Sequence, residues 1–383
     1  MNEAEERDIV IVGGGICGLA TALALHGSLV SERSECLHAT GAATTIRANG
    51  WRALDHLGLG LLLRKDSVHI DGFSLSLSPS NGIILFMSDI SLGNGILREF
   101  AINSVDISEA FRRKGEAQCI RRSDLVEALA EDLSHSTIRF TCHVISVKLG
   151  SQTSYTVLEL HYGIVIKAKY LRMNPTKFST TNAIRGFTSY PEGHGIDNLF
   201  VVAIKEQVVV GNSEISKNQE LIKMSSLQTI NDFQEEMKEM IKNSDQSLSS
   251  CLRLRYRALW DLMLGSFRKG TITVAGDALD AMSPFIGQGD SISQEDAIVM
   301  ARCLAQKILE FDRKTLFEKC TMDKCEDVHN QYAKERRMRL IKLSTQSFLM
   351  NKMFETLSMV VKLFCIVFMA SFFRDSAGHS QFD

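Results

Sequence analysis

The segment DIVIVGGGICGLATALAL, residues 8–25, constrains the fold of this chain more than any other part of its sequence. An apolar run rich in β-branched residues is followed by a cluster of glycines and then by small and apolar residues without a helix breaker. This order predicts a strand, a tight turn and a helix. Gly13, Gly15 and Gly18 fall in that turn with the spacing G-x-G-x-x-G, which is typical of a dinucleotide-binding βαβ unit.

The three glycines have separate physical roles in such a unit. The first permits the tight turn, the second lets the backbone approach a pyrophosphate, and the third lets the helix pack closely on the sheet. Free N–H groups and the positive end of the helix dipole then attract the phosphates. Glu32 lies 19 positions after Gly13, about where an acid binds a ribose hydroxyl. We favour this role over the alternative of a solvated loop acid because the glycines precede it.

The composition is that of a globular protein with one large or two modest domains. The chain has 383 residues, of which 45% are hydrophobic and 23% charged, and its net charge of -2 gives no electrostatic reason to expect nucleic acid as a partner. The nine cysteines are scattered, and Cys320 and Cys325 have only His329 nearby, so we predict reduced thiols and no metal site. The acidic N-terminus lacks the features of a signal or transit peptide, which favours a cytoplasmic location.

Two segments near the C-terminus allow more than one interpretation. The apolar run MVVKLFCIVFMASFF is interrupted by Lys362, and the uninterrupted part, Leu363 to Phe373, is too short to span a membrane. It could be a packed terminal helix, which we favour, or an interfacial anchor; we predict no membrane insertion. A basic cluster is interpreted as a solvated helix face. It consists of Lys334, Arg336, Arg337 and Arg339.

A second glycine-rich segment, TVAGDALDAMSPFIGQGDSISQEDA, occupies residues 273–297. An apolar strand is expected to stop at Gly276-Asp277, and a Gly287-Gln288-Gly289 loop is followed by an apolar helix. A backbone loop can approach a flat ring only where Cβ atoms are absent, and its N–H groups can then face a ligand. The segment is therefore typical of a backbone loop held against a ligand.

Taken together, these segments resemble the FAD-dependent aromatic hydroxylases, or group A flavoprotein monooxygenases, which include salicylate hydroxylase and para-hydroxybenzoate hydroxylase. The likeness is greatest to the plant monooxygenase branch and covers residues 8 to about 345. It rests on several stretches in the same order along the chain. Besides the two glycine-rich segments, these are TGAATTIRANGWRALDHLGLG, CIRRSDLVEALAEDL and AIRGFTSYPEGHGIDN.

The resemblance implies an α/β fold with a discontinuous Rossmann-type FAD-binding domain, an inserted mixed-sheet substrate domain and C-terminal helices. We expect the FAD-binding domain in residues 1–70, 114–172 and 268–345, the substrate domain in 71–113 and 173–267, and a helical tail in 346–383. The implied reaction uses FAD, NAD(P)H and O2 to hydroxylate a small aromatic or lipophilic substrate. The cofactor supplies most of this chemistry.

The same resemblance implies which residues bind FAD. Asp277 would accept hydrogen bonds from ribityl hydroxyls, while Arg122 would contact the cofactor unless it is only a surface residue. The full implied set is Gly13, Gly14, Gly15, Gly18, Glu32, Arg33, Arg122, Gly276, Asp277, Gly287, Gln288 and Gly289. We name no catalytic acid or base; Tyr190 and His194 are candidates for the substrate pocket only.

The sequence departs from the family pattern at cofactor positions. The strand that should end in Asp-Gly passes instead from Ala168-Lys169 to NPTKF, and the strand expected after Val210-Gly211 is missing. Asp280-Ala281 stands where relatives have His-Pro, and Asp290-Ser291 stands where they have glycines. Two further hypotheses therefore remain open: a catalytically impaired flavin-binding or interaction protein, and a flavin oxidoreductase that does not insert oxygen.

Overall fold

A computed structural model describes most of the chain apart from its ends and several internal stretches. The described residues are 9–26, 28–37, 43–69, 72–77, 82–88, 117–134, 136–149, 156–160, 174–185, 199–206, 218–229, 235–244, 250–311, 322–355 and 358–372. The helices are α1 (Ile16–Leu25), α2 (Ala48–His56), α3 (Gly60–Arg64), α4 (Arg122–Glu131), α5 (Gln219–Thr229), α6 (Glu235–Lys242), α7 (Leu259–Leu264), α8 (Asp277–Asp280), α9 (Gly289–Phe311), α10 (Met322–Glu355) and α11 (Met359–Phe372). The strands are β1 (Val10–Val12), β2 (Leu29–Ser31), β3 (Ala43–Ile46), β4 (Val68–His69), β5 (Gly72–Leu77), β6 (Gly82–Ser88), β7 (Gln118–Arg121), β8 (Ile138–Arg139), β9 (Val144–Leu149), β10 (Thr156–Leu160), β11 (Lys177–Arg185), β12 (Leu199–Glu206), β13 (Ser250–Tyr256), β14 (Arg268–Lys269) and β15 (Ile272–Thr273).

A short parallel sheet carries the first glycine-rich turn. Its strand order is β1-β2-β8. Strand β2 begins directly after Gly27-Ser28 and has only three residues. Both pairings in this sheet are parallel, so β1, α1 and β2 form the βαβ unit that the glycine spacing predicts. Helices α2, α4 and α9 share a core with α1. Its buried side chains include Leu19, Leu23, Trp51, Leu54, Leu125, Leu129 and Ala297.

A separate antiparallel sheet has the strand order β13-β11-β12-β6-β5. The alternating segment IDGFSLSLSPSNGIILFMSDI, residues 70–90, predicts two antiparallel strands, and β5 does pair antiparallel with β6, from Gly72 opposite Ser88 to Leu77 opposite Ile83. All five strands fall within residues 71–113 and 173–267, the ranges expected for the substrate domain. The domain boundaries themselves stay a prediction, and the one placed at residue 346 lies inside α10.

The C-terminal helices form a second core together with the second glycine-rich segment. Helix α10 is 34 residues long and packs against α7 and α9. Its buried side chains, among them Tyr332, Leu340 and Leu343, meet Leu279 and Ile292 in this core. Helix α11 buries Cys365 but leaves most of its apolar side chains exposed, including Val360 at 77%. Among the described helices, none combines the length and apolar character that a membrane crossing requires.

The interpretation of the basic cluster as a solvated face is wrong for three of its members, since Arg339 also pairs with the buried Glu295 and its side chain is only 18% exposed. Lys334 is exposed, whereas the side chain of Arg336 is only 1% exposed and lies among carboxylates. Arg337 donates hydrogen bonds to the carbonyls of Leu262, Met263 and Gly265 at the end of α7, at 3.0, 2.6 and 2.9 Å. These cations are therefore structural rather than solvated.

Candidate cofactor site

The turn between β1 and α1 has the geometry that its glycines allow. Gly13 has φ +112°, a conformation that L side chains rarely adopt, and its N–H donates to the carbonyl of Ser31 at 2.9 Å. A Cβ on Gly18 would lie 2.0 Å from the carbonyl oxygen of Gly13, so α1 can approach the turn only with glycine there. A Cβ on Gly15 would have no neighbour within 4 Å. The start of α1 therefore faces open space on the side of Gly15.

Glu32 is part of this turn rather than a freely solvated acid. Its carboxylate accepts the N–H of Gly14 at 2.6 Å and the N–H of Ser34 at 3.0 Å. Burial raises the pKa of Glu32, but these backbone hydrogen bonds and Arg33 outweigh burial and hold the pKa below its ordinary value. Glu32 is thus an ionised acceptor at the end of β2, where a ribose hydroxyl could reach it. Arg33 itself is exposed.

The Gly276-Asp277 turn lies directly against the start of α1. Gly276 has φ +58° and donates its N–H to Oδ2 of Asp296 at 2.7 Å. A Cβ on Gly276 would lie 2.8 Å from Cβ of Cys17. Burial raises the pKa of the Cys17 thiol, with further contributions from Asp296 and Asp277, so Asp277 also lies near this helix start. The two glycine-rich segments, distant in sequence, therefore form one concave site, which we call the cradle.

The Gly287-Gln288-Gly289 loop lies at the start of α9. Gly287 ends the 3-10 turn Pro284–Ile286, and a Cβ on Gly289 would have no neighbour within 4 Å. The side chain of Gln288 is completely buried, and its amide nitrogen and oxygen have no hydrogen-bond partner within the described residues. Buried polar groups normally have partners, so an unpartnered amide at a helix start is consistent with a ligand that would complete it.

Arg122 and Asp290 bind each other. Nη1 of Arg122 lies 2.7 and 2.9 Å from the two carboxylate oxygens of Asp290, and the hydroxyl of Thr44 donates to the same carboxylate at 2.5 Å. Asp290 therefore does not turn to solvent, and its charge is balanced by the cation expected to contact the cofactor. Arg122 is neither a free surface residue nor, in this arrangement, a free anion-binding group.

Comparisons with known proteins identify the family. No protein-family model matches the chain. It is 38% identical to Monooxygenase 1 of Arabidopsis thaliana over 416 aligned positions, which cover 99% of both chains. The chain belongs to this family of monooxygenases. Among solved structures, it is similar to a variant of HpxO from Klebsiella pneumoniae, complexed with FAD, with a TM-score of 0.67, 13% identity and coverage of 97% and 98%.

Salicylate hydroxylase, solved as a substrate complex, is a further structural neighbour of this monooxygenase. The TM-score is 0.58 at 15% identity, with 97% of this chain and 96% of the neighbour covered. These similarities confirm the predicted α/β fold of the aromatic hydroxylases, and the Arabidopsis protein confirms the plant branch.

Sequence reasoning missed Arg47, which lies between β3 and α2 of the monooxygenase. Its guanidinium donates to the carbonyl of Ile286 at 3.3 Å and is among the nearest groups to the position of a Cβ on Gly287. Its backbone N–H donates to the hydroxyl of Ser291 at 3.0 Å. Burial lowers the pKa of Arg47 to about 10, so it is still a cation at neutral pH. The only signal for it was its position in the family-like stretch TTIRANGWRAL.

Asp280, which the resemblance placed at a histidine position of the family pattern, is buried beneath the cradle. The hydroxyl of Ser344 on α10 donates to its carboxylate at 2.5 Å. Burial raises the pKa of Asp280 to about 7, and Asp296 and Asp277 act in the same direction. This acid is therefore part of the protein interior, and its titration matters for stability.

The substrate side of the site is only partly described. Tyr190 and His194, the candidates for the substrate pocket, lie outside the described residues, as do Lys169 and Tyr170. Among the described residues, no group of His, Cys, Asp and Glu side chains could hold a metal ion.

The cradle nevertheless fits the cofactor that the family uses. Backbone without side chains faces open space at Gly15 and Gly289, an unpartnered amide lies at Gln288, and the cation Arg47 lies beside the loop. Helix starts, missing Cβ atoms and cations are the features that hold a pyrophosphate.

Proposed function

We propose that this monooxygenase binds FAD in the cradle and uses NAD(P)H and O2 to hydroxylate a small aromatic or lipophilic compound. The observation that carries the proposal is the contact between Gly276 and Cys17, because it joins the two glycine-rich segments into one site. An extended dinucleotide needs both sides of such a site, with phosphates at a helix start and hydroxyls at carboxylates.

Each residue of the cradle has a role that follows from its position. Glu32, ionised at the end of β2, accepts the ribose hydroxyls, and Asp277, exposed at the start of α8, accepts the ribityl hydroxyls. The free N–H groups at the starts of α1 and α9 bind the pyrophosphate, beside Gly15 and Gly289. FAD, when bound, supplies the electron transfer and the oxygen insertion; the protein holds the ring, orients the substrate and excludes water.

A second candidate function is favoured by one feature of the alignment. The alignment with Monooxygenase 1 spans 416 positions while this chain has 383 residues, so at least 33 of the positions are gaps in this chain. Segments absent from this chain, among which we expect the Asp-Gly strand end, would produce such gaps. A flavin-binding protein with impaired oxygen insertion is therefore the alternative.

A cytosolic location stays a prediction from the N-terminal sequence.

The experiment is to purify the protein and measure its bound flavin by absorbance, then to follow NAD(P)H oxidation with candidate aromatic acids and identify products by mass spectrometry. Bound FAD together with a hydroxylated product supports the proposal. Bound FAD with NAD(P)H oxidation but no oxygenated product across the panel favours the alternative. A colourless protein that gains no flavin on addition of FAD contradicts both.

A further inference from the structure

A buried ionic network links α10 to α9 beneath the cradle. The guanidinium of Arg336 donates through Nε to Oδ1 of Asp296 at 2.5 Å and through Nη1 to Glu295. Both carboxylates are fully buried. Arg339 completes the network through a hydrogen bond from Nη2 to Glu295 at 2.8 Å. Two cations thus face two anions in the interior of the protein.

The two carboxylates of this network connect to different parts of the molecule. The second carboxylate oxygen of Asp296 accepts a hydrogen bond from the N–H of Gly276 at 2.7 Å, and Gly276 lies against Cys17. Glu295 instead accepts the side-chain amide of Asn49 on α2 at 2.9 Å. Asp296 therefore connects Arg336 to the cradle, whereas Glu295 connects it to a neighbouring helix.

Stability alone is a weak reason for such a network. Removing two charged groups from water costs about as much as their attraction returns, and apolar residues of similar volume often stabilise a core as well. Burial lowers the pKa of Arg336, but Asp296 and Glu295 more than offset this and raise the pKa above its ordinary value, so the guanidinium stays charged. What the network adds over apolar packing is direction, because charged hydrogen bonds hold each carboxylate against specific partners in fixed positions.

We propose that Arg336 is a positioning residue for the cofactor site. It orients Asp296, and Asp296 in turn holds the Gly276-Asp277 turn against the first turn of α1, so that Asp277 stands at the right distance from the phosphate-binding helix start. The inference rests on the proposed function, because the cradle is assigned to FAD there. It goes beyond that function by assigning a role to a side chain that cannot touch the cofactor.

The test compares Asp296→Asn with Glu295→Gln. Each substitution removes a buried carboxylate that pairs with Arg336 and places an amide N–H against a donor, so both variants should melt below the parent. Glu295→Gln also loses the ion pair with Arg339, so its melting temperature should fall at least as far. Of the two carboxylates, Asp296 is the one that accepts the N–H of Gly276. We expect the Kd for FAD, titrated by flavin fluorescence into folded protein, to rise about tenfold or more in Asp296→Asn and to stay within about twofold in Glu295→Gln.

Amide hydrogen exchange of the free protein gives a second measurement that needs no flavin. Peptides that contain Gly276 should exchange faster in Asp296→Asn than in Glu295→Gln, because only the former weakens the acceptor of its N–H. If the parent itself binds no FAD, the proposed function fails while this exchange comparison still decides whether the network holds Gly276.

If Asp296→Asn does not fold, the variant Arg336→Lys is compared with Glu295→Gln instead. A lysine keeps the charge but lacks the fork that reaches two carboxylates together, so the Kd should again rise more than in Glu295→Gln. Equal changes of Kd and of exchange in the compared variants, or parent-like values in Asp296→Asn, would show that the network serves only stability and would overturn the proposal.

Discussion

The glycines of the cradle differ in what their missing side chain makes room for. Gly18 and Gly276 make room for protein, since a Cβ would meet Gly13 at 2.0 Å and Cys17 at 2.8 Å. Gly15 and Gly289 leave open space on the side where a ligand would lie. Substitutions at the two kinds of position should therefore separate folding from cofactor binding.

Gly15→Val should fold like the parent and lose flavin. Gly15 has φ -78° and ψ 177°, which valine adopts without strain, but its side chain would fill the space needed by the pyrophosphate. Gly18→Ala is the matched control: its Cβ collides with backbone, so this variant should melt at a lower temperature. Measuring the flavin bound per folded molecule and the melting temperature of both variants separates an effect on cofactor binding from an effect on folding. A Gly15→Val protein that holds FAD as tightly as the parent would show that the cradle is assigned wrongly.

Asp280 should make the protein less stable as the pH rises. Its pKa is about 7 in the folded protein against 3.8 in the unfolded chain, so between these values the folded state binds more protons. The stability that Asp280 contributes is present below about pH 4 and is lost by pH 7, with a loss on the order of 4 kcal/mol.

Asp280→Asn removes this titration. The free energy of unfolding of Asp280→Asn minus that of the parent should increase as the pH rises from 5 to 8, because only the parent loses the contribution of Asp280. Urea denaturation at each pH measures both values. Asp327→Asn, at an exposed acid on α10, is the control and should show no such gain. A constant difference between Asp280→Asn and the parent across this range would contradict the assignment.

At the scale of elements, α10 shows why a run of basic residues does not predict a solvated face. Successive residues of a helix turn by about 100°, so four cations within six positions must point in several directions. Tyr332, Arg336, Leu340 and Leu343 recur at the helical spacing and share the buried side. Lys334 falls on the opposite side and is exposed.

Arg337→Ala should destabilise the junction of α7 and α10. Arg337 satisfies three carbonyls at the end of α7, and its guanidinium lies 4.4 Å from the ring centre of the buried Phe267. Charged hydrogen bonds and the helix dipole suggest a loss of about 2–3 kcal/mol in unfolding free energy. Lys334→Ala, on the same helix, should change it by less than about 0.5 kcal/mol. Equal effects in urea denaturation would show that Arg337 is not a cap.

At the scale of the whole molecule, the chain keeps the fold of its structural neighbours, whereas parts of the cofactor site are predicted to depart from the family pattern. The structural neighbours cover almost the full chain, and the cradle is assembled from both glycine-rich segments. Yet the resemblance implies an Asp-Gly strand end that this sequence lacks, and it implies glycine where Asp290 binds Arg122. We expect these departures to affect how firmly a flavin is held rather than whether the chain folds.

Hydroxylation should therefore be slow and poorly coupled. Oxygen insertion needs a site that excludes water and holds the ring still, and a loosely held cofactor reduces oxygen to hydrogen peroxide instead. We expect NADPH consumption to exceed product formation and hydrogen peroxide to account for the difference. Inserting a family-like Asp-Gly segment between Lys169 and Tyr170 should raise flavin occupancy and coupling together. Tight FAD binding and one-to-one coupling in the unaltered protein would contradict this prediction.

The sequence by itself determined the local structure of the cradle. Glycine spacing, apolar runs and helix starts act over a few residues through backbone geometry, so β1, α1, the turn at Gly13 and the loop at Gly287 could all be predicted. The resemblance to known hydroxylases then placed Glu32 and Asp277 in one site, which no short-range pattern could do.

Only the tertiary structure decided which side chains pair. The partners Arg122 and Asp290 lie 168 positions apart, and Arg336 and Asp296 lie 40 apart, on elements that local patterns leave unoriented. Whether a cation is solvated or buried against a carboxylate depends on how helices pack, because burial and distance set the energy of a charge. For this reason the sequence predicted a solvated Arg336, whereas the packing of α10 on α9 placed it beneath the cofactor site.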